Sequence, residues 1–181
     1  MRHKIPALIM LSVFALGVAS GTTIQIFHYS KATVKGNVTI TILRNGIPIY
    51  FYEGHNFVTN IGLDFCEQQL GSSPSTESAR WISLSTSSQA PLQTWTKIPD
   101  ELATSGLSRT AGTYSSLGIG QWKIEKTFTA TALVTGIQLS GLHWASTGDN
   151  NLFAVLQMPS ANVQANDNLL IQWQVTVARA T

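Results

Sequence analysis

The chain has 181 residues, 44% of them hydrophobic, which is enough for one domain with a buried core. Only 11% are charged, against roughly 25% in an average soluble domain, a balance typical of extracellular β-proteins and repeating fibres. Two of the 11 basic residues, Arg2 and Lys4, lie in a segment that we expect to be removed, which leaves nine against 9 acidic residues. A near-neutral mature chain argues against nucleic-acid binding and offers little repulsion to self-association.

Residues 1–21 have the layout of a secretory signal peptide. A basic start precedes a largely apolar run over residues 5–18, and small residues follow at 19–21. The apolar run is shorter than the roughly 20 residues that a membrane-spanning helix needs. We therefore expect residues 1–21 to be cleaved and the mature protein to be secreted, extracellular and held at the cell surface. A retained N-terminal anchor extending through Ile24 and Phe27 is the alternative, and it also exports the protein.

The pattern changes from a solid apolar block to alternation at Thr22. Ile24 and Ile26 fall on one face of an extended segment, with Gln25 on the other. Polar residues at 30–33 separate this segment from the rest of the chain, so residues 22–33 are predicted to be a detached strand and its tether. The candidate donor-strand residues are Thr22, Thr23, Ile24, Gln25, Ile26, Phe27 and His28.

A hairpin is the clearest local prediction. Alternating residues 38–42 are followed by Asn45-Gly46 and then by the apolar run 47–52. Asn-Gly between two such runs predicts a tight turn, because both residues tolerate positive φ. Pro48 has no backbone N–H, which predicts that the second strand lies at a sheet edge.

One or two short helices are expected. Residues 62–70 form a helical pattern that ends near Gly71, and residues 99–102 suggest a single helical turn. Asp100 and Glu101 then follow Pro99 at a helix start, where acidic side chains interact favourably with the helix dipole.

The other segments predict strands separated by turn residues. We place them at residues 22–28, 80–85, 107–114, 120–131, 133–145, 151–158 and 168–178. Several short strands without a long helical pattern predict an all-β fold, an antiparallel β-sandwich of the jelly-roll or Ig-like kind. The sandwich is expected to occupy residues 34–181 as one domain.

No catalytic motif is found, so no catalytic, metal or cofactor-binding residue is assigned and the chain is predicted not to be an enzyme. His28, His55 and His143 each lack a second ligand type at metal-binding spacing, which favours packed histidines. Residues 146–151 resemble a hairpin loop, and a calcium site at Asp149 is the weaker interpretation.

Three further features have a structural and a functional interpretation. The tryptophans Trp81, Trp95, Trp122, Trp144 and Trp173 suit a core or an interface better than a glycan platform. Asn37 begins the N-x-S/T sequence and is a candidate N-glycosylation site. Cys66 is the only cysteine, so no intramolecular disulfide forms, and we expect it to be an inert, buried side chain.

The leader, the detached strand and the disulfide-free β-sandwich together resemble archaeal surface filament subunits, including bundling pilins and thread filaments, which are similar in design to bacterial TasA-like biofilm fibres. The resemblance rests on residues 17–27 (GVASGTTIQIF) and on the overall layout. It implies donor-strand complementation, in which each subunit gives its N-terminal strand to a groove in the next. Residues 54–70 and 79–84 also resemble segments of tail-associated proteins of phages and archaeal viruses.

The sequence therefore predicts a structural subunit of a pilus-like extracellular filament, a homopolymer that supports adhesion or biofilm formation. No cofactor and no nucleic-acid partner is expected, whereas glycan or neighbouring-filament contacts stay open. The alternatives are a virus or phage structural protein and a glycan-binding surface adhesin.

Overall fold

The computed structural model describes residues 32–72 and 77–179, and the donor strand predicted at residues 22–28 lies outside them. Ten strands and one helix make up the described part of the chain. They are β1 (Ala32–Arg44), β2 (Ile47–His55), β3 (Phe57–Val58), α1 (Asn60–Gly71), β4 (Trp81–Ser85), β5 (Thr110–Ala111), β6 (Thr113–Gly118), β7 (Gln121–Thr129), β8 (Val134–His143), β9 (Leu152–Val163) and β10 (Asn168–Arg179).

The strands form two five-stranded sheets that pack as a sandwich. Sheet A has the order β2-β1-β10-β7-β6, and sheet B has the order β3-β9-β8-β4-β5. Every pairing between these strands is antiparallel, which confirms the predicted all-β antiparallel sandwich. The first described strand, β1, pairs along its length with the last, β10, and Ala32 faces Arg179.

The Asn-Gly hairpin is confirmed. Asn45 and Gly46 adopt φ angles of 52° and 79° and join β1 to β2. Both residues therefore lie in the left-handed region, which matches the twist of the flanking strands. β2 is an edge strand of sheet A, as Pro48 predicted, and its pairing with β1 is interrupted by a bulge next to this proline.

The core lies between the two sheets and follows the alternation of the strands. In β1 the side chains of Val38, Ile40 and Ile42 are fully buried, while those between them are only partly buried. Trp173 in β10 is fully buried as well, and its Nε1 donates to Ser140 Oγ of the opposite sheet at 3.3 Å. The alternation of apolar and polar residues in the sequence thus corresponds to the inner and outer faces of sheet A.

The strand predicted at residues 107–114 is instead divided between the two sheets. β5 pairs with β4 in sheet B, and β6 pairs with β7 in sheet A. Gly112 lies between them and donates its N–H to Arg80 O at 2.7 Å. A Cβ on Gly112 would lie only 2.6 Å from the Cγ2 of Ile124, so the chain crosses between the sheets where only glycine fits.

The helix near residues 62–70 is confirmed as α1, but the predicted turn of helix at residues 99–102 is wrong. Pro99 and Asp100 form a turn in which Asp100 has a φ of 47°, and Glu101 then forms an isolated bridge with Ser85. The N–H of Leu102 donates to Leu84 O at 2.8 Å. The backbone groups of this segment form hydrogen bonds with β4 and the residue at its end, so they are not available for a helical turn. Glu101 therefore does not lie at a helix N-terminus.

β1 begins at Ala32, inside the polar segment 30–33 that the sequence marks as a tether. Pairing with the end of β10 extends the strand to this point. The strand that follows the predicted donor segment in the sequence therefore begins at the end of the sandwich where Ala32 pairs with Arg179.

Candidate functional site: an apolar groove at one end of the sandwich

A groove with a volume of about 490 Å³ opens at the end of the sandwich where β1 begins. Its walls are mostly apolar. They are formed by Val34, Phe65, Cys66, Gln69, Leu70, Ser78, Ala79, Arg80, Gly112, Tyr114, Trp122, Ile124, Phe153 and Val177.

Sheet A supplies one wall of the groove. Val34 shares the parity of the buried residue Val38 in β1, and Val177 shares that of Trp173 in β10. Alternation along a strand therefore directs both side chains to the inner face of the sheet. They face each other in the β1–β10 register and lie at the same end as Ala32. The wall therefore continues the core surface, and the described residues cover it only in part.

Helix α1 supplies the facing wall. Thr59 caps the helix by accepting from the N–H of Gly62 at 3.0 Å, and its own hydroxyl donates to Leu152 O of β9. The ring of Phe65 stacks on Trp144, with centroids 4.6 Å apart and an interplanar angle of 13°. These contacts fix the helix on sheet B and place Phe65, Cys66 and Leu70 at the groove.

Two groups in the helix wall have distinct chemistry. The side-chain amide nitrogen of Gln69 is buried and has no hydrogen-bond partner among the described residues, although buried donors are nearly always paired. Cys66 is half-buried, not fully buried as the sequence suggested, and desolvation raises the pKa of its thiol. The raised pKa lowers the thiolate fraction and the reactivity at neutral pH.

Apolar side chains at the groove are exposed to an unusual degree. Leu70 is 90% exposed, Tyr114 62% and Val177 42%. Ile119, in the link between β6 and β7, is fully exposed, and its neighbour Gly120 accepts a 2.8 Å hydrogen bond from Val177 N. The end of the sandwich where the chain enters therefore carries a concentrated apolar surface.

Two of the open edges of the sandwich, at β9 and at β2, carry features that hinder strand addition. Residues 156–163 of β9 pair with β8 on one side and have no described strand on the other. Tyr50 Oη donates to Pro159 O at 2.9 Å, and Tyr52 Oη donates to Gln157 O at 3.4 Å. These hydroxyls, which reach across from β2, satisfy carbonyls in that part of β9. Pro48 and its adjacent bulge interrupt the edge of β2.

The outer face of sheet A is polar at its centre and apolar along β2. A row of hydrogen-bonded side chains crosses three strands and consists of Thr39, Gln172, Glu125 and Lys123. Hydrogen bonds from Lys123 and from Gln172 lower the pKa of Glu125. On β2 the side chains of Ile47, Ile49 and Phe51 are exposed.

A buried polar network, which the sequence analysis missed, lies on the side of sheet B. Ser83 Oγ is 2.8 Å from His143 Nε2, and His143 Nδ1 is 2.9 Å from Asn151 Oδ1. Asn151 Nδ2 donates to three carbonyls of its own loop, so its Oδ1 accepts from His143, and the neutral imidazole accepts the Ser83 proton at Nε2. Burial, with the Arg109 charge adding to it, lowers the pKa of His143 to about 3.

This chain of Ser83, His143 and Asn151 has the order of a nucleophile relay, but all three side chains are buried. Arg109 donates to Asn151 Oδ1 at 3.0 Å and pairs with Glu101, with Nε 2.8 Å from Oε1. The network thus holds the loop at residues 145–151 against the segment carrying Glu101. A shallow cleft of about 340 Å³ borders Arg109 and does not include Ser83 or His143.

The remaining sequence candidates are dispersed. Asn37 is partly exposed in β1 and donates to Glu53 Oε1. His55 is exposed on β2, so the prediction of a packed histidine is wrong at this position. Asp149 forms an ion pair with Lys97 at 3.0 Å, and the residues that the structure describes include no group of three side chains arranged to hold a metal ion. Trp173 is buried, and Trp81, Trp95, Trp122 and Trp144 are each half-buried.

Within residues 32–72 and 77–179, no helix is long and apolar enough to cross a bilayer. Comparison with known proteins finds no match among family models, curated proteins or solved structures. The described part of the chain is an all-β protein, with a two-sheet antiparallel sandwich and one docked helix.

Proposed function

We propose that the chain is a structural subunit of an extracellular filament, in which residues 22–29 of one copy hold the next copy by donor-strand complementation. The observation that carries this proposal is the exposed apolar surface at the end of the sandwich where β1 begins, with Leu70 90% exposed and Val177 42% exposed. Apolar surface of this kind is costly in water unless a partner covers it.

The segment suits this task. Burial of Ile24 and Ile26 would contribute roughly 1.5–3 kcal/mol for each side chain. Main-chain hydrogen bonds to a receiving subunit would add about 0.5–1.5 kcal/mol each. The mature chain is close to neutral, so electrostatic repulsion between copies is weak.

The test is assembly of the secreted, processed protein, followed by negative-stain microscopy and sedimentation. The wild type is expected to form fibres, whereas the Ile24→Asp/Ile26→Asp variant should stay monomeric with an unchanged circular dichroism spectrum. Ile24→Val/Ile26→Val keeps the apolar pattern and is the matched control, which should assemble. Normal fibres from the Asp variant would show that the link is elsewhere, with β10 the next candidate.

Two other roles are outcomes of the same experiment. Particles in place of fibres would favour a virus or phage structural protein. A wild-type protein that stays monomeric under all conditions would rule out the filament role, and binding to a glycan panel would then test the adhesin role.

A further inference from the structure

We infer that the groove between α1 and the end of sheet A is the receiving site for residues 22–29. This inference rests on the proposed function, since in the assembled state the segment comes from a second copy of the chain. It assigns a site and an occupant: an extended peptide segment whose alternate side chains are apolar.

The position of the groove beside the start of β1 is the first argument. Val34 lines the groove and is only two residues beyond Ala32, where the described chain begins. Residues 22–29 precede Ala32 in the chain, with only residues 30 and 31 between. An extended segment of eight residues reaches about 26 Å, so the groove of an adjacent copy lies within its range when the two copies associate through this end.

The chemistry of the walls is the second argument. Val34, Phe65 and Trp122 offer apolar contacts to Ile24 and Ile26. Arg80 is the only charged side chain among the lining residues, so the groove suits a segment without charged residues, and residues 22–29 have none.

The unpaired amide of Gln69 is the third argument. Its Nε2 is a buried donor without an acceptor among the described residues, and Gln69 belongs to the lining of the groove. A strand lying in the groove carries main-chain carbonyls along its length, which are the acceptors that such a donor lacks.

The protected edges are the fourth argument. Tyr50 and Tyr52 satisfy carbonyls in β9, and Pro48 with its bulge interrupts β2. An incoming strand therefore meets obstacles at these two sides. The groove offers it apolar walls and a free donor.

Cys66 makes the site measurable, because it lines the groove and is the only cysteine. In the processed wild type the segment shields the thiol, and reaction with a maleimide should be slow. The Ile24→Asp/Ile26→Asp variant should react at least tenfold faster. Adding a synthetic peptide of residues 22–29 should restore the slow rate, whereas the same peptide with both isoleucines replaced by Asp should not.

A pair of exposed leucines on α1 supplies matched variants. Leu70 is 90% exposed and lines the groove, and Leu63 is 53% exposed and does not. Each is replaced by Arg in the Ile24→Asp/Ile26→Asp background, and binding of the fluorescently labelled 22–29 peptide is followed by anisotropy. Leu70→Arg should weaken binding at least tenfold, and Leu63→Arg should leave it within twofold.

The outcomes separate this inference from the proposed function. Fibres that form normally while Cys66 reacts equally fast in the wild type and the Asp variant would overturn the groove and leave the filament role. Protection of Cys66 that depends on Ile24 and Ile26, without any fibres, would support the groove and rule out the filament role. Equal effects of Leu70→Arg and Leu63→Arg on peptide binding would also overturn the groove.

Discussion

The backbone of Gly62 in α1 packs directly against the carbonyl of Phe153 in β9. A Cβ built on Gly62 would lie 2.1 Å from that oxygen, which is closer than real Cβ contacts allow. Glycine in a helix interior normally costs about 0.5–1 kcal/mol relative to alanine. At position 62 the absence of a side chain allows the helix to approach sheet B. This approach positions Phe65 on Trp144 and Cys66 at the groove.

Replacement of Gly62 by alanine should therefore destabilise the protein, although helix propensity alone predicts the opposite. We expect a loss of about 1–3 kcal/mol in the free energy of unfolding, because the methyl group displaces the helix from backbone atoms that cannot move independently. Gly71→Ala is the control, since its Cβ meets nothing nearer than 3.8 Å, the distance to Glu67 Oε1. Urea unfolding of the two variants measures the difference, and equal stabilities would contradict this account.

Thr59 joins the helix to the sandwich and should also control the groove. Its Oγ1 accepts from Gly62 N at 3.0 Å and donates to Leu152 O, and the residue is fully buried. Thr59→Ala should reduce the unfolding free energy by about 1–2 kcal/mol through loss of the cap. Hydrogen exchange at the amides of α1 should accelerate more than exchange in β10. Thr59→Ser keeps the hydroxyl and should recover most of the protection, and failure to do so would assign the effect to the lost methyl group.

Local patterns in the sequence were sufficient for most of the fold. Alternation and the Asn45-Gly46 turn predicted the β1–β2 hairpin, and Pro48 predicted its edge position. The division of residues 107–114 was not predictable in the same way. Gly112 resembles any glycine within a strand until its contacts with Ile124 and Arg80 are known. Contacts of this kind join residues distant in sequence, on which local periodicity carries no information.

The candidate site shows the same limit. The alternation at Ile24 and Ile26 predicted a strand that pairs with another copy. The groove, however, is assembled from seven separate stretches of chain, and neither its volume nor the unpaired amide of Gln69 has a sequence signature. The network of Ser83, His143 and Asn151 was also missed. Its members are 60 and 8 positions apart, and a lone histidine in a strand correctly suggested only a packed side chain.

The exposed stripe on β2 should contribute little to folding. Ile49 and Phe51 are 46% and 64% exposed on the outer face of sheet A. Replacing both by threonine leaves residues of high strand propensity at the two positions and should change the unfolding free energy by less than about 0.5 kcal/mol. Time-dependent light scattering of concentrated protein should fall, since less apolar surface is available for non-specific association. Ile40→Ala is the contrasting core variant, with an expected loss of about 2–5 kcal/mol.

His143 should make the fold sensitive to acid. Its side chain is fully buried, and protonation would place a charge beside the Arg109 guanidinium, which itself contacts Asn151 and Glu101. Burial first, and the Arg109 charge second, lower the pKa of His143 from 6.5 to about 3 in the folded protein. Between these values the unfolded chain binds a proton at this residue and the folded chain does not. The contribution of neutral His143 to stability is therefore complete above pH 6.5 and falls as the pH decreases towards 3.

Between the two pKa values the free energy of unfolding falls by about 1.4 kcal/mol for each unit of decreasing pH. This residue alone should therefore lower the free energy of unfolding by about 2 kcal/mol between pH 7 and pH 5. Carboxylates add their own pH dependence, and the comparison with His143→Gln isolates the histidine. The variant should be less stable at pH 7, because it disturbs the contacts with Ser83 and Asn151, but it should lose about 2 kcal/mol less than the wild type on acidification. Urea unfolding at the two pH values measures both proteins. Parallel losses in the wild type and His143→Gln would show that the imidazole of His143 takes up its proton over the same pH range in the folded and the unfolded chain, and would overturn this account.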